Sequence, residues 1–154
     1  MNNARSSETL DFTGQVAVIT GAGRGLGREH ALLLAARGAK VVINDLGTTY
    51  DGRGIAKGQV ADEVVALIKA SGGEAVANYD SVEQGELIVA DAINTYGRLD
   101  IVINNAGILT PEVWSELTLE SWQRTLNINL TGVFSVMKAA WPVFVQQQYG
   151  RCIM

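Results

Sequence analysis

The chain reads as an α/β domain built on a doubly wound parallel sheet. Two observations predict it. Apolar strand-like runs alternate with segments whose apolar residues recur at helical spacing, in the order β-α-β-α-β-α-β-α-β. The strand-like runs are also nearly continuous in apolar residues, as in Val41-Val42-Ile43, which suits parallel strands buried on both faces. Of 154 residues, 47% are hydrophobic and 18% charged, enough to bury one core and too apolar for a disordered chain.

In chain order, residues 15–20 form the first strand. A helix follows from about Gly25 to Arg37 and stops at Gly38. Residues 39–45 form the second strand, so strand, helix and strand make one right-handed βαβ unit. Residues 47–58 are polar and rich in glycine and read as a loop. Val60, Val64, Leu67 and Ile68 recur at helical spacing over 59–70, and Ser71-Gly72-Gly73 ends that helix. Residues 74–79 are the third strand. Ser81-Val82-Glu83-Gln84 has the pattern of a capping box ahead of a helix that stops at Gly97. Residues 99–103 are the fourth strand. Thr118 caps a further helix, and a long one runs from Ser121 to Tyr149, with an apolar stripe of Trp122, Leu126, Leu130, Val133, Met137, Ala140 and Phe144. Pro142 is expected to bend it and Gly150 to end it. Residues 151–154 look like the opening of a fifth strand, so the sheet reads as truncated there.

The stretch that carries chemistry is Thr20-Gly21-Ala22-Gly23-Arg24-Gly25-Leu26-Gly27, set between a strand and a helix. In that setting a Gly-rich turn becomes a phosphate cradle. Glycine lets a ligand approach the backbone, and the helix start offers free N–H groups to an anion such as a dinucleotide pyrophosphate. Any tight turn also favours glycine. The spacing is Gly21-x-x-x-Gly25-x-Gly27, with Leu26 where the G-x-G-x-x-G fingerprint needs its third glycine, and no Gly-Lys-Ser/Thr follows.

Asp45 ends the second strand 18 positions after Gly27. A carboxylate there accepts hydrogen bonds from both ribose hydroxyls and repels a 2′-phosphate, which predicts NAD over NADP; a solvated loop aspartate is the plainer alternative. Asp80 falls at the C-terminal edge of the third strand, where ligands bind in open α/β sheets. Asn104-Asn105-Ala106-Gly107 leaves the fourth strand directly. Amides there can bond neighbouring strand ends and hold them beside Gly21, and the small Ala106 and Gly107 leave room for a flat ligand; an ordinary polar turn fits equally well.

Net charge of −4 argues against a nucleic-acid partner. A single cysteine, Cys152, excludes an internal disulfide, leaves no zinc-type cluster and is read as a small buried hydrophobe. No apolar run is expected to reach membrane-spanning length. Residues 1–11 are polar, lack the apolar core of a signal peptide and read as a flexible tail ahead of one domain at 12–154. His30 is read as structural, and the three tryptophans as packing or interface residues.

Together, Thr20-Gly21-x-x-x-Gly25-x-Gly27, Asp45, Asp80, Asn104-Asn105-Ala106-Gly107 and Asn129-Leu130-x-Gly132 resemble the short-chain dehydrogenase/reductase family, from Phe12 to Met154. Asn44-Asp45-Leu46-Gly47 with its Gly-rich insert, Asn78-Tyr79-Asp80-Ser81-Val82, and Ala139-Ala140-Trp141 are similar to the branch that holds the (R)-3-hydroxyacyl-CoA dehydrogenase module of peroxisomal multifunctional enzyme type two. The resemblance implies a Rossmann fold and NAD as cofactor. It implies a pyrophosphate cradle at Gly21, Arg24, Gly25, Leu26 and Gly27, with Asp45 on the adenosine ribose and Asp80 with Ser81 at the adenine. Asn104, Ala106 and Gly107 would line the cofactor. Asn129 matches the family's active-site asparagine, whose backbone carbonyl anchors a water in a proton relay; the hydroxyacyl-CoA branch often carries another residue there.

The family's proton acceptor is a tyrosine followed four positions on by lysine, preceded by a serine that orients the substrate. None of Tyr50, Tyr79, Tyr96 and Tyr149 has lysine four residues later. The chain is therefore expected to be the cofactor-binding half of an oxidoreductase acting on a secondary alcohol or ketone, and inactive alone. A non-catalytic NAD-binding or interaction protein is the alternative. A homo-oligomer is expected of the intact enzyme, in the cytoplasm, or in the peroxisome for a eukaryotic relative.

Overall fold

The computed structural model describes residues 10–54 and 59–154. Of the tail expected at 1–11, residues 1–9 lie outside them, as do residues 55–58 of the Gly-rich loop. The elements are β1 (Val16–Thr20), α1 (Gly25–Ala36), β2 (Lys40–Asn44), α2 (Gln59–Ala70), β3 (Glu74–Asn78), α3 (Gly85–Tyr96), β4 (Ile101–Ile103), α4 (Leu119–Leu126), α5 (Gly132–Gln147) and β5 (Arg151–Ile153). All strands are parallel, in the order β3-β2-β1-β4-β5. The order reverses after β1, which places a crevice at the C-terminal ends of the strands.

Alternate residues of β1 face opposite layers. Ala17 and Ile19 pack with Ala31 and Leu34 of α1 and Val64 and Ile68 of α2. Val16 and Val18 pack with Ile88 and Ala92 of α3 and Val136, Ala140 and Phe144 of α5. This two-sided burial is why the strands read as unbroken apolar runs. On the α2 face Ala61, Val64 and Ile68 are buried, whereas Leu67 is exposed. At the opposite end of the sheet, buried Asp100 accepts the Val16 N–H (2.9 Å) and both arms of the Arg98 guanidinium (2.8 and 2.7 Å).

Several expectations are corrected. Ser81 opens a 3-10 turn at Val82–Gln84, its hydroxyl accepting the Glu83 N–H at 3.3 Å, and α3 begins only at Gly85. Buried Val82 and the tight seat of Gly85 hold that extra turn. The helix capped by Thr118 and the long helix are one continuous element, because a π-turn at Asn127–Thr131 joins α4 to α5. A π-turn carries one surplus residue and rotates everything after it by about 100°. The stripe is broken accordingly: Trp122 and Leu130 are exposed, and the buried face of α5 is Gly132, Val136, Ala140 and Phe144.

The helix continues through Pro142 and ends at Gln147. The left-handed residue is Gln148 (φ 56°), and Gly150 instead seats against the Phe144 ring. Cys152 is exposed on β5, because β5 lies at the sheet edge with none of the described residues covering it. Trp114, Trp122 and Trp141 are exposed as well. The joined helix Leu119–Gln147 also overturns the expectation on membrane length: by length and composition alone it could cross one. Its inner face here packs on α3 and the sheet.

A methyl group on Gly85 would strike the backbone of Ser135 and Val136. Gly85 has ordinary helical φ, so alanine brings no backbone strain. Gly85→Ala is therefore expected to destabilise the fold by about 1–3 kcal/mol through overpacking. An unchanged or raised urea midpoint, the usual effect of alanine for glycine in a helix, would refute this α3–α5 contact.

Candidate functional site

The site begins where β1 and β4 leave the sheet. Thr20 is buried, and its hydroxyl accepts the N–H groups of Asn105 (3.1 Å) and Ala106 (3.0 Å). The Asn105 side-chain amide donates to the carbonyls of Thr20 (2.9 Å) and Gly21 (3.0 Å). The two strand ends are thus pinned together by side chains just beyond the last ladder bond. Glycine is required twice for this: a Cβ on Gly21 would meet Ala106 Cα at 2.9 Å, and one on Gly27 would meet the Asn105 amide nitrogen.

The turn then passes through Arg24 in extended conformation and enters α1 at Gly25 (φ 53°). No side chain caps this helix start, so its first N–H groups remain available to an anion. Asp45, just past β2, accepts the Gly23 N–H (2.8 Å) on one carboxylate oxygen and the Gly47 N–H (2.7 Å) on the other. Each oxygen keeps a second lone pair for a further donor.

A groove of about 430 Å³ runs across these strand ends. Gly21, Arg24, Asp45, Asp80, Ser81, Ala106 and Gly107 line it, together with Asn44 and Asn105. Gly25, Leu26 and Gly27 lie outside its lining: Leu26 points to solvent, and Gly27 serves the Asn105 contact behind the turn. Asn104 is also outside it, its backbone N–H bonded to the Ile153 carbonyl of β5 and its buried side-chain nitrogen unpartnered.

Asn129 lies on the π-turn rather than in the groove. Its side chain grips both backbone groups of Ile108, accepting the N–H at 2.8 Å and donating to the carbonyl at 3.0 Å. It also lines a second apolar pocket with Thr110, Leu117 and Trp122.

Sequence reasoning assigned no site role to the loop after β2, yet Leu46, Thr48, Thr49, Tyr50 and Gly52 form one wall of the groove. The loop is tied across the groove. The Tyr50 carbonyl accepts the Leu109 N–H (3.0 Å), and Arg53 pairs with Glu112 (2.9 Å). The Ser121 hydroxyl, then Arg53, lower the Glu112 pKa from its ordinary value. Arg124, from α4, lines the groove as well. Only the polar, Gly-rich character of 47–58 signalled the strap, and nothing local signalled Arg124.

This geometry fits a dinucleotide: a free helix N-terminus and a glycine backbone at one point, and carboxylates at the ends of two neighbouring strands. The sequence model of the short chain dehydrogenase family matches residues 15–154. Mouse peroxisomal multifunctional enzyme type 2 is 51% identical over 146 residues, 94% of this chain and 20% of that protein. A 3-oxoacyl-[acyl-carrier-protein] reductase of Synechocystis is 41% identical over 92% of this chain and 55% of its own length. The crystal structure of a short chain dehydrogenase from Mycobacterium paratuberculosis bound to NAD superposes with a TM-score of 0.83 at 31% identity, covering 93% of this chain and 55% of that one. The chain thus spans between a fifth and about half of these relatives.

Removing the Asn105 amide leaves two carbonyls without their partner at a tight turn. Asn105→Ala is expected to cost about 1–3 kcal/mol and to speed hydrogen exchange at residues 20–23 beyond the rest of β1. Uniform exchange along β1, at unchanged stability, would show that the pin is dispensable.

Proposed function

The chain belongs to the short-chain dehydrogenase/reductase family, and from that membership we propose that it is the NAD-binding half of an oxidoreductase acting on a secondary alcohol. The observation that carries this reading is the convergence of Gly21, Asp45, Asp80 and Ala106 on one groove at the C-terminal strand ends. Bound there, NAD would supply the hydride acceptor for the alcohol carbon.

The chain's own residues take the following parts. Backbone N–H groups at the start of α1, with Arg24 beside them, hold the pyrophosphate. Asp45 accepts the ribose hydroxyls with the lone pairs left over from Gly23 and Gly47, and its charge rejects a 2′-phosphate. Asp80 and Ser81 sit at the adenine. Ala106 and Gly107 keep the floor low enough for the cofactor to lie flat. Asn129 acts from behind, its side chain fixing the backbone of Ile108 and its own backbone carbonyl anchoring a relay water.

A proton acceptor at the substrate hydroxyl completes the chemistry. No tyrosine of this chain has lysine four residues on, so that step falls to residues outside it. The name of the Synechocystis relative, a 3-oxoacyl-[acyl-carrier-protein] reductase, favours a 3-hydroxyacyl thioester as substrate. Leu130, Phe134, Trp141 and Val145 are exposed along one face of the long helix, which favours pairing of subunits there. The reading places the enzyme in the cytoplasm, or in the peroxisome for a eukaryotic relative.

Calorimetric titration of the chain is expected to show NAD binding more tightly than NADP. Asp45→Ala should weaken NAD by roughly 10- to 100-fold, the worth of charge-assisted hydrogen bonds, and erase the preference. Tighter binding of NADP by the wild-type chain would sink the assignment of Asp45. With NAD and a 3-hydroxyacyl thioester, the chain alone is expected to give no turnover; rates matching an intact family member would overturn the division of labour.

A further inference from the structure

Behind the adenine end of the groove lies a buried amide pair with no part in the reading above. Asn44 and Asn78 end β2 and β3 in direct register and are 2% and 4% exposed. Polar side chains buried this deeply in a sheet are costly unless every group is used. Those of Asn78 are. Its carbonyl oxygen accepts from the Asn44 amide (2.7 Å) and from the Asp80 N–H (3.1 Å). Its amide donates to the Asp80 carboxylate (2.7 Å) and to Asp91 of α3 (3.1 Å). The Asn44 amide also donates to the Asp80 backbone carbonyl (2.8 Å).

Asp80 is therefore held at its N–H, its carbonyl and one carboxylate oxygen, each time by this pair. Carboxylates only accept, so the Asn78 amide nitrogen must face Asp80 and Asp91 and its oxygen must face Asn44. The arrangement has one orientation, and it leaves the second oxygen of Asp80 for the groove that Asp80 lines.

We propose that Asn78, backed by Asn44, is a positioning residue that aims Asp80 at the exocyclic amine of a 6-aminopurine and so sets the base specificity of the cofactor site. The inference rests on the NAD reading of the groove. An amine at that point donates to the free oxygen of Asp80. A 6-oxo base such as hypoxanthine presents an acceptor there and is repelled. A lone carboxylate on a loop could swing to water and would discriminate weakly. One locked on three sides cannot.

The test compares the Kd of NAD with that of nicotinamide hypoxanthine dinucleotide. The wild-type chain is expected to favour NAD by roughly 10-fold or more, the worth of one charge-assisted hydrogen bond. Asn78→Leu should bring the ratio close to one, with far-UV circular dichroism and cooperative melting retained. In an Asp80→Ala background, adding Asn78→Leu should change the ratio no further, because Asn78 acts through Asp80. Should Asn78→Leu fail to fold, Asn78→Thr carries the test: one hydroxyl serves only one of the two carboxylates, and the ratio should fall below the wild-type value. A folded Asn78 variant with the wild-type ratio overturns the proposal, as does a wild-type chain that binds both dinucleotides equally. Failure to bind either one overturns the NAD reading along with it.

Discussion

Everything at the top of the sheet depends on the pin between Thr20 and Asn105. Parallel strands separate where their ladder ends, and the carbonyls of Thr20 and Gly21 face that gap without strand partners. One asparagine amide answers both. Its presence explains the glycine spacing better than the ligand alone does. Gly21 must be bare because Ala106 lies against it, and Gly27 because the Asn105 nitrogen does. The departure from G-x-G-x-x-G is thus the imprint of a neighbouring strand on the turn.

Charge is arranged around that pin with a clear polarity. The turn that leads into α1 lines one stretch of the groove with Gly21 and Arg24, while the ends of β2 and β3 bring Asp45 and Asp80 to the other. Neither carboxylate is left loose: backbone N–H groups hold Asp45, and an amide pair holds Asp80. Fixed dipoles of this kind suit a ligand that is anionic in the middle and rich in donors at one end. They also explain why burial and polarity coexist at Asn44 and Asn78, which follow runs of valine, isoleucine and alanine in both strands.

Much of this was legible in the sequence because the forces involved are local. Apolar runs marked β1 and β2, and glycines marked the ends of α1 and α3. The groove collects Gly21, Arg24, Asp45, Asp80, Ser81, Ala106 and Gly107, all named from sequence. What was not legible depends on register and on depth. The pairing of Asn44 with Asn78 requires knowing that residues 34 apart lie side by side. The strap at 46–53 reads as a polar loop until Leu109 and Glu112 are brought across to meet it. Cys152 reads as buried, and among the described residues its strand is the last of the sheet, with nothing packed over it. The apolar stripe of the long helix failed at Leu130, because Asn127-Ile128-Asn129-Leu130-Thr131 has no glycine or proline to announce a change of winding.

That change of winding makes chain length itself a structural variable. Along the loop after β2, gaining or losing a residue alters only how far a strap reaches. Within 127–131 the same event must be taken up by rewinding the π-turn; otherwise it turns α5 about 100° on its axis and sets Ser135, Ala139 and Val143, or Met137, Trp141 and Val145, where Val136, Ala140 and Phe144 now pack. Related sequences should therefore differ freely in length at the first place and keep strict count at the second. An insertion tolerated in the long helix would have to come with a compensating deletion within a turn of it.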